Sequence, residues 1–182
     1  MIDALLRADH ALFWRINGWQ GNPAIDALFL WGTELGTAWF GAIPVAVLFY
    51  VRNRARVREA LLAIALGSSL GLVNLLLKWL VARPRPTRTF ENVQLLGPWL
   101  GWQSFPSGHT LTAFIILAFL LRMDRKLGYA WLPCALLVAL SRIYIGVHFP
   151  SDVVAGALLG FLPCWFLQPL LEKPRENARE SA

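Results

Sequence analysis

The sequence has little charge for its length. Charged residues make up 15% of its 182 residues, whereas hydrophobic residues make up 57%, above the roughly 45–50% apolar share of soluble domains. The mean hydropathy is +0.51. This balance excludes a soluble globular domain and indicates one domain that is embedded in a membrane.

Several other signals are missing. The sequence shows no internal repeat, low-complexity tract or domain linker. Its start lacks the basic segment, clean apolar run and small-residue cleavage site of a secretory signal. The two cysteines, Cys134 and Cys164, lie in apolar runs, where a thiol behaves as a small hydrophobe. They therefore give no information about the redox compartment, and we treat residues 1–182 as a single membrane-embedded domain.

Five long apolar segments predict transmembrane helices, although the shorter ones need flanking residues to reach the ~20 residues that cross a bilayer. Residues 1–36 hold a weaker apolar pattern broken by charges, which fits interfacial or first-span helices. We predict an all-α, polytopic membrane helical bundle of five to six transmembrane helices. Residues 37–171 would form its helical core and residues 172–182 a cytoplasmic tail. The five segments are 37–51, 61–82, 110–121, 129–140 and 153–171.

The net charge of +6 is unevenly distributed. Ten basic residues fall into three clusters, at 52–58, 122–126 and 172–182. When the predicted spans are threaded in order, all three clusters lie on one side, which the positive-inside bias makes cytoplasmic. This pattern argues against a nucleic-acid partner. It predicts an inner (cytoplasmic) membrane protein whose other end faces the periplasm or extracytoplasmic side.

Polar residues at that other end come from three separated stretches. KWLVARPRP (78–86) ends a span, because Pro84 and Pro86 cannot continue a helix. SFPSGHT (104–110) offers Ser107 as a helix cap and Gly108 for close approach of a ligand to the backbone. SRIYIGVHFPSD (141–152) follows the next outward crossing. The resulting candidate site residues are Lys78, Arg85, Ser107, Gly108, His109, Arg142, His148 and Asp152.

An anion suits this set better than a metal ion. Two histidines and an aspartate could ligate a metal, but several cationic side chains would repel it. Arginine pairs with phosphate oxygens through its fork, lysine adds a point charge, and a helix start offers unpaired N–H groups. We therefore predict a phosphate site with no metal and no cofactor.

Two histidines in a phosphate site indicate catalysis rather than binding alone. One imidazole can attack phosphorus while the other protonates the leaving oxygen, and a carboxylate can hold the attacker in the correct tautomer. The four-residue spacing lets Asp152 orient His148, which leaves His109 as the acid. By contrast, His10, Asp26 and Glu34 are interpreted as ordinary polar residues, and Arg83 and Arg88 as contacts to lipid headgroups or solvent.

The same three stretches resemble the signature of the type 2 phosphatidic acid phosphatase superfamily. That signature is Lys-x6-Arg-Pro, then Pro-Ser-Gly-His, then Ser-Arg-x5-His-x3-Asp. All three parts are complete here, from Lys78 to Asp152, and a three-part match with fixed spacings is a strong signal.

The resemblance implies a helical membrane core, commonly of six spans, and metal-independent dephosphorylation through a phosphohistidine. His148 would be the nucleophile, Asp152 its partner and His109 the general acid. The remaining candidate residues would hold the phosphoryl oxygens. Short bacterial members of this kind often resemble undecaprenyl pyrophosphate phosphatases, and others act on phosphatidylglycerophosphate, phosphatidic acid or lipid A. A phosphorylated lipid and the bilayer are thus the expected partners.

The competing class is a non-catalytic membrane protein, either an anion transporter or a lipid-binding scaffold. A transporter is expected to show inverted-repeat halves and broken midplane helices, and the sequence shows no such symmetry. A scaffold would need the basic residues but not His109, His148 and Asp152. Release of phosphate from a lipid phosphate separates these classes. The oligomeric state is not predicted.

Overall fold

The computed structural model describes residues 2–52, 57–101 and 103–171, and these form helices, turns and one isolated bridge between Pro84 and Gln103. The all-α prediction is confirmed. The tail at 172–182 and most of the basic cluster at 52–58 lie outside the described residues. The α-helices are α1 (Ile2–Asn17), α2 (Pro23–Gly32), α3 (Ile43–Arg52), α4 (Val57–Val81), α5 (Pro86–Thr89), α6 (Gly108–Met123), α7 (Arg125–Tyr144) and α8 (Pro150–Leu171).

The helix boundaries follow from local chemistry. The Asn22 side chain accepts hydrogen bonds from the backbone N–H groups of Ala24 and Ile25 and so caps α2. Asp124 caps α7 in the same way, which allows a sharp turn after α6. Helix α4 ends where Ala82 adopts a φ of 46°, the left-handed conformation that commonly closes helices.

Helix α6 is the centre of the bundle, and α8 packs against it at very short range. A Cβ atom added to Gly156 would lie 2.5 Å from the Ser107 carbonyl oxygen, and one added to Gly160 would lie 2.4 Å from that of Leu111. Only glycine permits this approach. The contact fixes the start of α8 beside the start of α6, which brings the second and third polar stretches together.

Four helix ends meet at one end of the bundle, which we call the rim. It contains the end of α4 with the following residues 82–86, the start of α6 at 104–109, and the connection from α7 to α8 at 141–152. The backbone N–H of Ser107 donates to the Asp152 carbonyl (3.0 Å) and that of Ser104 to the Arg83 carbonyl (2.8 Å). The predicted convergence of the three polar stretches is therefore observed.

Helix α1 lies across the rim. Near its middle, Asp9 accepts a hydrogen bond from the backbone N–H of Ser151 at the start of α8 (2.8 Å). At its end, Asn17 donates to the carbonyl of Tyr144, where α7 ends (2.8 Å). Since these contacts join the ends of two neighbouring helices, α1 spans the gap between them, as an interfacial helix does.

Residues 23–52 lead from the rim toward the opposite end in four short pieces. Helix α2 stacks Phe29 on Tyr144 with ring centroids 4.2 Å apart. A 3-10 turn (Thr33–Gly36) and a π turn (Ala38–Ala42) follow. Helix α3 then packs Val45 against a cluster that includes Phe119 and Met123. The predicted span 37–51 is thus extended by residues 23–36, which descend from the rim.

The five predicted apolar segments lie in helices. Three segments are long and apolar enough to cross a membrane, namely Ile64–Val81, Arg125–Tyr144 and Pro150–Leu167. Two further apolar segments, Ala38–Leu48 and Gly108–Met123, are shorter, so three of the five to six predicted transmembrane helices have the length of a span. The described basic cluster, Arg122 to Lys126, lies at the end opposite the rim, because it joins the end of α6 to the start of α7.

Candidate active site

His148 lies in the short connection between α7 and α8. The chain turns there at Gly146, whose φ of 84° and close approach to the Gln94 carbonyl exclude a side chain. The imidazole is 2% exposed. Its Nε2 atom lies 3.3 Å from Nη1 of Arg85, and its Nδ1 atom lies 3.5 Å from Oδ2 of Asp152. Burial lowers the pKa of His148 to about 3, so the ring is neutral at physiological pH.

Asp152 is fully buried at the start of α8 and faces His148. Its Oδ2 accepts a hydrogen bond from the backbone N–H of Phe149 (2.9 Å), and its Oδ1 accepts one from Nη1 of Arg83 (2.6 Å). The 3.5 Å separation from His148 Nδ1 exceeds normal hydrogen-bond length. The carboxylate is therefore held beside the ring nitrogen without a formed hydrogen bond to it.

Arg83 differs from the prediction. The sequence suggested that it meets lipid headgroups or solvent, whereas its guanidinium bridges Asp152 and Asp9, with Nη2 2.7 Å from Asp9 Oδ2. It also lies over the Phe149 ring at 4.1 Å. The sequence could not show this because the partners are 69 and 74 residues away. Arg83 is therefore a fourth cation within the polar cluster of the rim.

Two arginines with buried side chains flank the histidine. Arg85 donates from Nε to the Gly101 carbonyl (2.7 Å) and from Nη1 to the Val147 carbonyl (2.8 Å). Burial lowers its pKa, and the nearby Asp152 carboxylate opposes that shift. Arg142 donates from Nη1 to the Thr33 hydroxyl (2.6 Å). These contacts fix both guanidinium groups in place, and an arginine stays charged under all ordinary conditions.

Lys78 lies in the last turn of α4, near the two arginines. We call Lys78, Arg85 and Arg142 the cationic wall. Its Nζ atom lies 3.4 and 3.3 Å from the carbonyl oxygens of Gln103 and Ser104. The lysine interacts electrostatically with Arg85, Arg142 and Asp152. The ammonium group can therefore reach a ligand that sits among the two arginines and His148.

The Pro-Ser-Gly-His stretch starts α6, with Ser107 at the N-cap position. The Ser107 hydroxyl does not cap the helix, contrary to the prediction, and instead accepts a hydrogen bond from the Thr110 hydroxyl (3.0 Å). Gly108 faces Asn74 of α4, whose Nδ2 would be 3.5 Å from an added Cβ. The helix start thus keeps backbone N–H groups available to an anion.

His109 lies on the first turn of α6 and is partly exposed. Arg142, Arg85 and Lys78 all interact with it electrostatically. The 3-10 turn packs directly against it, because a Cβ atom on Gly36 would lie 2.8 Å from the His109 Cβ. The two predicted catalytic histidines are therefore placed around the same cluster of cations.

Together these contacts bring all eight predicted site residues to the rim. Asn74, a polar amide in the mainly apolar helix α4, has a signal in the sequence that could have found it. The local sequence gives no such signal for residues whose partners are distant in the chain. Four further polar residues of this region were therefore not predicted as site residues. They are Asp9, Thr33, Asn74 and Arg83. Within the described ranges, no three His, Cys, Asp or Glu side chains form a group that could hold a metal ion.

An apolar groove of about 360 Å³ lies between the π turn, α3 and the two site-bearing helices α4 and α6. The π turn, α3, α4 and α6 form its walls. Leu111 and Thr112 connect it to His109 within one helical turn, and Gly71 lies two turns before Lys78 on α4. Because the walls are mainly aliphatic, the groove can accept a hydrocarbon chain whose polar end reaches the site.

The structure is a membrane helical bundle in which cations surround two histidines and an aspartate. These features define a class of membrane proteins that bind phosphate groups. The family model described as "PAP2 superfamily" matches residues 56–175. The chain belongs to the PAP2 superfamily, and the resemblance noted from its motifs is confirmed.

Several known proteins are similar to the chain. "Bacitracin transport permease protein BcrC" of Bacillus licheniformis is 36% identical over 71% of this chain and 64% of that protein. "Undecaprenyl-diphosphatase BcrC" of Bacillus subtilis is 30% identical over 78% of this chain and 74% of that protein. The crystal structure of a transmembrane PAP2-type phosphatidylglycerolphosphate phosphatase from Bacillus subtilis superposes with a TM-score of 0.76 at 28% identity, covering 97% of this chain and 90% of that one.

These similarities support the chain's general class. The predictions of a multi-pass membrane protein and of a phosphatase are confirmed at the level of the family. The matched part amounts to about two thirds of the first relative's length, and the matched proteins carry different names. The substrate and the catalytic roles of individual residues are therefore argued from the site.

Proposed function

We propose that the protein hydrolyses the phosphate or pyrophosphate headgroup of a membrane lipid through a phosphohistidine on His148, without a metal ion. One observation carries this proposal: Nε2 of a buried, neutral His148 faces Arg85, while Nδ1 faces Asp152. A lone pair on Nε2 is thereby directed toward the place where cations can hold a phosphoryl group.

The first step forms a bond between Nε2 and phosphorus and breaks the bond from phosphorus to the leaving oxygen. Lys78, Arg85 and Arg142, with the N–H groups at the start of α6, neutralise the charge that builds up on the phosphoryl oxygens. Asp152 stabilises the positive charge that develops on the attacking ring. No metal ion is required, because fixed cations perform the neutralisation.

His109 donates a proton to the leaving oxygen in the first step. The negative headgroup offsets the three cations near His109, so substrate binding favours the protonated ring. In the second step, neutral His109 accepts a proton from water as that water attacks phosphorus and breaks the P–N bond. Inorganic phosphate leaves, and both histidines return to their starting forms.

The groove supports a lipid as the substrate. It lies among the apolar faces of α3, α4 and α6, of which α4 is long enough to span a membrane, and Leu111 and Thr112 of its wall lie within one turn of His109. A single alkyl or isoprenyl chain that fills the groove positions its headgroup at the rim. The binding energy of the chain then increases the effective concentration of the phosphate at His148.

Undecaprenyl pyrophosphate is the substrate that we propose, because one similar protein is named undecaprenyl-diphosphatase and the cationic wall can neutralise a pyrophosphate. Phosphatidylglycerophosphate, phosphatidic acid and lipid A are the alternatives. We place the protein in the inner (cytoplasmic) membrane with the rim on the periplasmic or extracytoplasmic side. The described basic cluster at the opposite end supports this orientation.

Anion transport is the second candidate, because one similar protein is named a transport permease. Anion transport and lipid-phosphate hydrolysis require different residues. Transport requires cations and a pathway, whereas hydrolysis also requires a nucleophile next to a carboxylate.

The test is phosphate release by the protein purified in detergent. A panel of undecaprenyl pyrophosphate, phosphatidylglycerophosphate, phosphatidic acid and lipid A would be compared in wild type and His148→Ala. We expect the wild type to release phosphate fastest from undecaprenyl pyrophosphate and the variant to release none. If neither protein releases phosphate from any lipid while wild-type proteoliposomes accumulate phosphate, the transport function is correct instead.

A further inference from the structure

Asp9, Arg83 and Ser151 form a closed hydrogen-bonded group on the outer side of Asp152. Arg83 Nη2 donates to Asp9 Oδ2 (2.7 Å), and its Nη1 donates to the Ser151 hydroxyl (2.7 Å). The Ser151 backbone N–H donates to Asp9 Oδ1 (2.8 Å). Helix α1, the residues after α4 and the start of α8 each contribute one member, so the group joins three parts of the chain.

The charged side chains of the group are largely shielded from solvent, whereas Ser151 is exposed. The side chains of Arg83 and Asp9 are 18% and 8% exposed, and Asp152 is not exposed at all. The Arg83 guanidinium lies over the Phe149 ring, and the same ring packs against His10 of α1 with centroids 5.2 Å apart. Low exposure strengthens each charged hydrogen bond, and it makes the loss of one partner costly.

We propose that Arg83 and Asp9 are positioning residues for the hydrolytic reaction: Arg83 fixes the Asp152 carboxylate beside His148, and Asp9 fixes Arg83. This inference rests on the proposed function. Of the two Asp152 oxygens, Oδ1 accepts from Arg83 and Oδ2 faces His148 and the Phe149 N–H. Without Arg83, the Oδ1 atom loses its charged donor, and the carboxylate can rotate away from the ring.

Asp9 lies on α1, the helix across the rim. Its carboxylate holds Arg83 by one oxygen and the start of α8 by the other. Loss of the charge at position 9 removes one of the two carboxylates that hold the guanidinium, which can then turn toward solvent or toward the phosphate site. Residues that orient a reacting group in this way typically change activity by about 10- to 100-fold, and the helix thus contributes to catalysis without touching the substrate.

The experiment compares Asp9→Asn and Arg83→Met with Asp3→Asn in the purified full-length protein. Asp3 lies exposed on the same helix, so its variant is a matched control for loss of charge. With farnesyl pyrophosphate as the probe, we expect kcat to fall about 10-fold in the first two variants at unchanged KM, and Asp3→Asn to match wild type. A rise in KM at constant kcat would overturn the proposal, because Arg83 would then bind the phosphate itself.

A double-mutant cycle tests whether Asp9 acts through Asp152. We expect Asp9→Asn to lower kcat in the wild-type background but to change it less than 2-fold in the Asp152→Asn background. Equal losses in both backgrounds would overturn the proposal, because Asp9 would then act through the fold alone. Thermal unfolding in detergent reports on folding of each variant separately.

A spectroscopic measurement keeps this inference separate from the proposed function, because it needs no turnover. The chain has three histidines, so ¹⁵N imidazole spectra can be assigned with His10→Gln and His109→Gln variants. We expect one neutral form of His148 with the proton on Nδ1 in wild type and Asp3→Asn, and a mixture of tautomers in Asp9→Asn. Identical His148 signals in wild type and Asp9→Asn would overturn the inference even if the protein is a phosphatase.

Discussion

His148 and Asp152 lie four residues apart in sequence and face one another at 3.5 Å between Nδ1 and Oδ2. The other nitrogen of the same ring lies 3.3 Å from Arg85. One side of the imidazole is thus occupied by a carboxylate that can hold its proton, and the other side points to a cation that can hold a phosphoryl oxygen. This division of the ring makes His148 the proposed nucleophile.

Replacement of His109 should depend on the leaving group. In His109→Ala, we expect hydrolysis of farnesyl pyrophosphate to fall by about 100-fold or more, because no side chain protonates the leaving oxygen. Hydrolysis of p-nitrophenyl phosphate should fall by less than 10-fold, since nitrophenolate leaves without a proton. Steady-state kinetics on both compounds provides the measurement. Equal losses on both would show that His109 has a different role.

Removal of divalent metal ions should leave turnover unchanged. The proposed neutralising groups are Lys78, Arg85 and Arg142, which a chelator cannot extract. We expect full phosphate release after dialysis against EDTA. Orthovanadate should inhibit competitively, because it resembles the five-coordinate state of phosphorus. Loss of activity in EDTA that Mg²⁺ restores would contradict the anion-site account.

The rim should be accessible from outside the cytoplasm. In a background with Cys134→Ala and Cys164→Ala, a single cysteine at Asn92 lies in the exposed loop before α6, and one at Lys126 lies exposed at the opposite end. We expect an impermeant thiol reagent to label the cysteine at position 92 in intact spheroplasts and the one at position 126 only after lysis. The reverse pattern would invert the proposed orientation.

Narrowing the apolar groove should discriminate against long lipids. Gly71 lines the groove, and an added Cβ there has no neighbour within 4 Å, so Gly71→Leu fills the space without a clash at its first atom. We expect kcat/KM for undecaprenyl pyrophosphate to fall about 10-fold or more, and that for p-nitrophenyl phosphate to remain unchanged. Val73→Leu, on the exposed face of the same helix, is the matched control. Equal losses on both compounds would show that the groove does not bind the lipid chain.

The sequence predicts the rim well because its motifs carry their own geometry. The prolines after α4 and the spacing of His148 and Asp152 each restrict the local conformation, although the predicted cap by the Ser107 hydroxyl does not form. Because successive spans cross the membrane in alternating directions, these segments then lie at the same end of the bundle. The apolar helices are likewise predictable, since long hydrocarbon runs have few alternatives in a bilayer.

The N-terminal part could not be predicted in this way. Helix α1 and residues 23–36 carry charges among apolar residues, and their polar contacts are formed with distant segments. Asp9 meets Ser151, which is 142 residues away, and Arg142 meets Thr33, which is 109 residues away. Such partners are determined by tertiary packing rather than by local pattern, and for the same reason Arg83 was wrongly assigned to lipid headgroups or solvent.

The most direct test of the central claim is rapid-quench labelling with substrate that carries ³²P in the transferred phosphoryl group. The quench is alkaline because the P–N bond of phosphohistidine is labile in acid. We predict a labelled protein that forms and decays within one turnover in wild type, and no label in His148→Ala. In His109→Ala with an activated aryl phosphate, the label should accumulate, because His109 also assists the attack of water. A labelled protein that persists in His148→Ala would contradict the account, since another residue would then be the nucleophile.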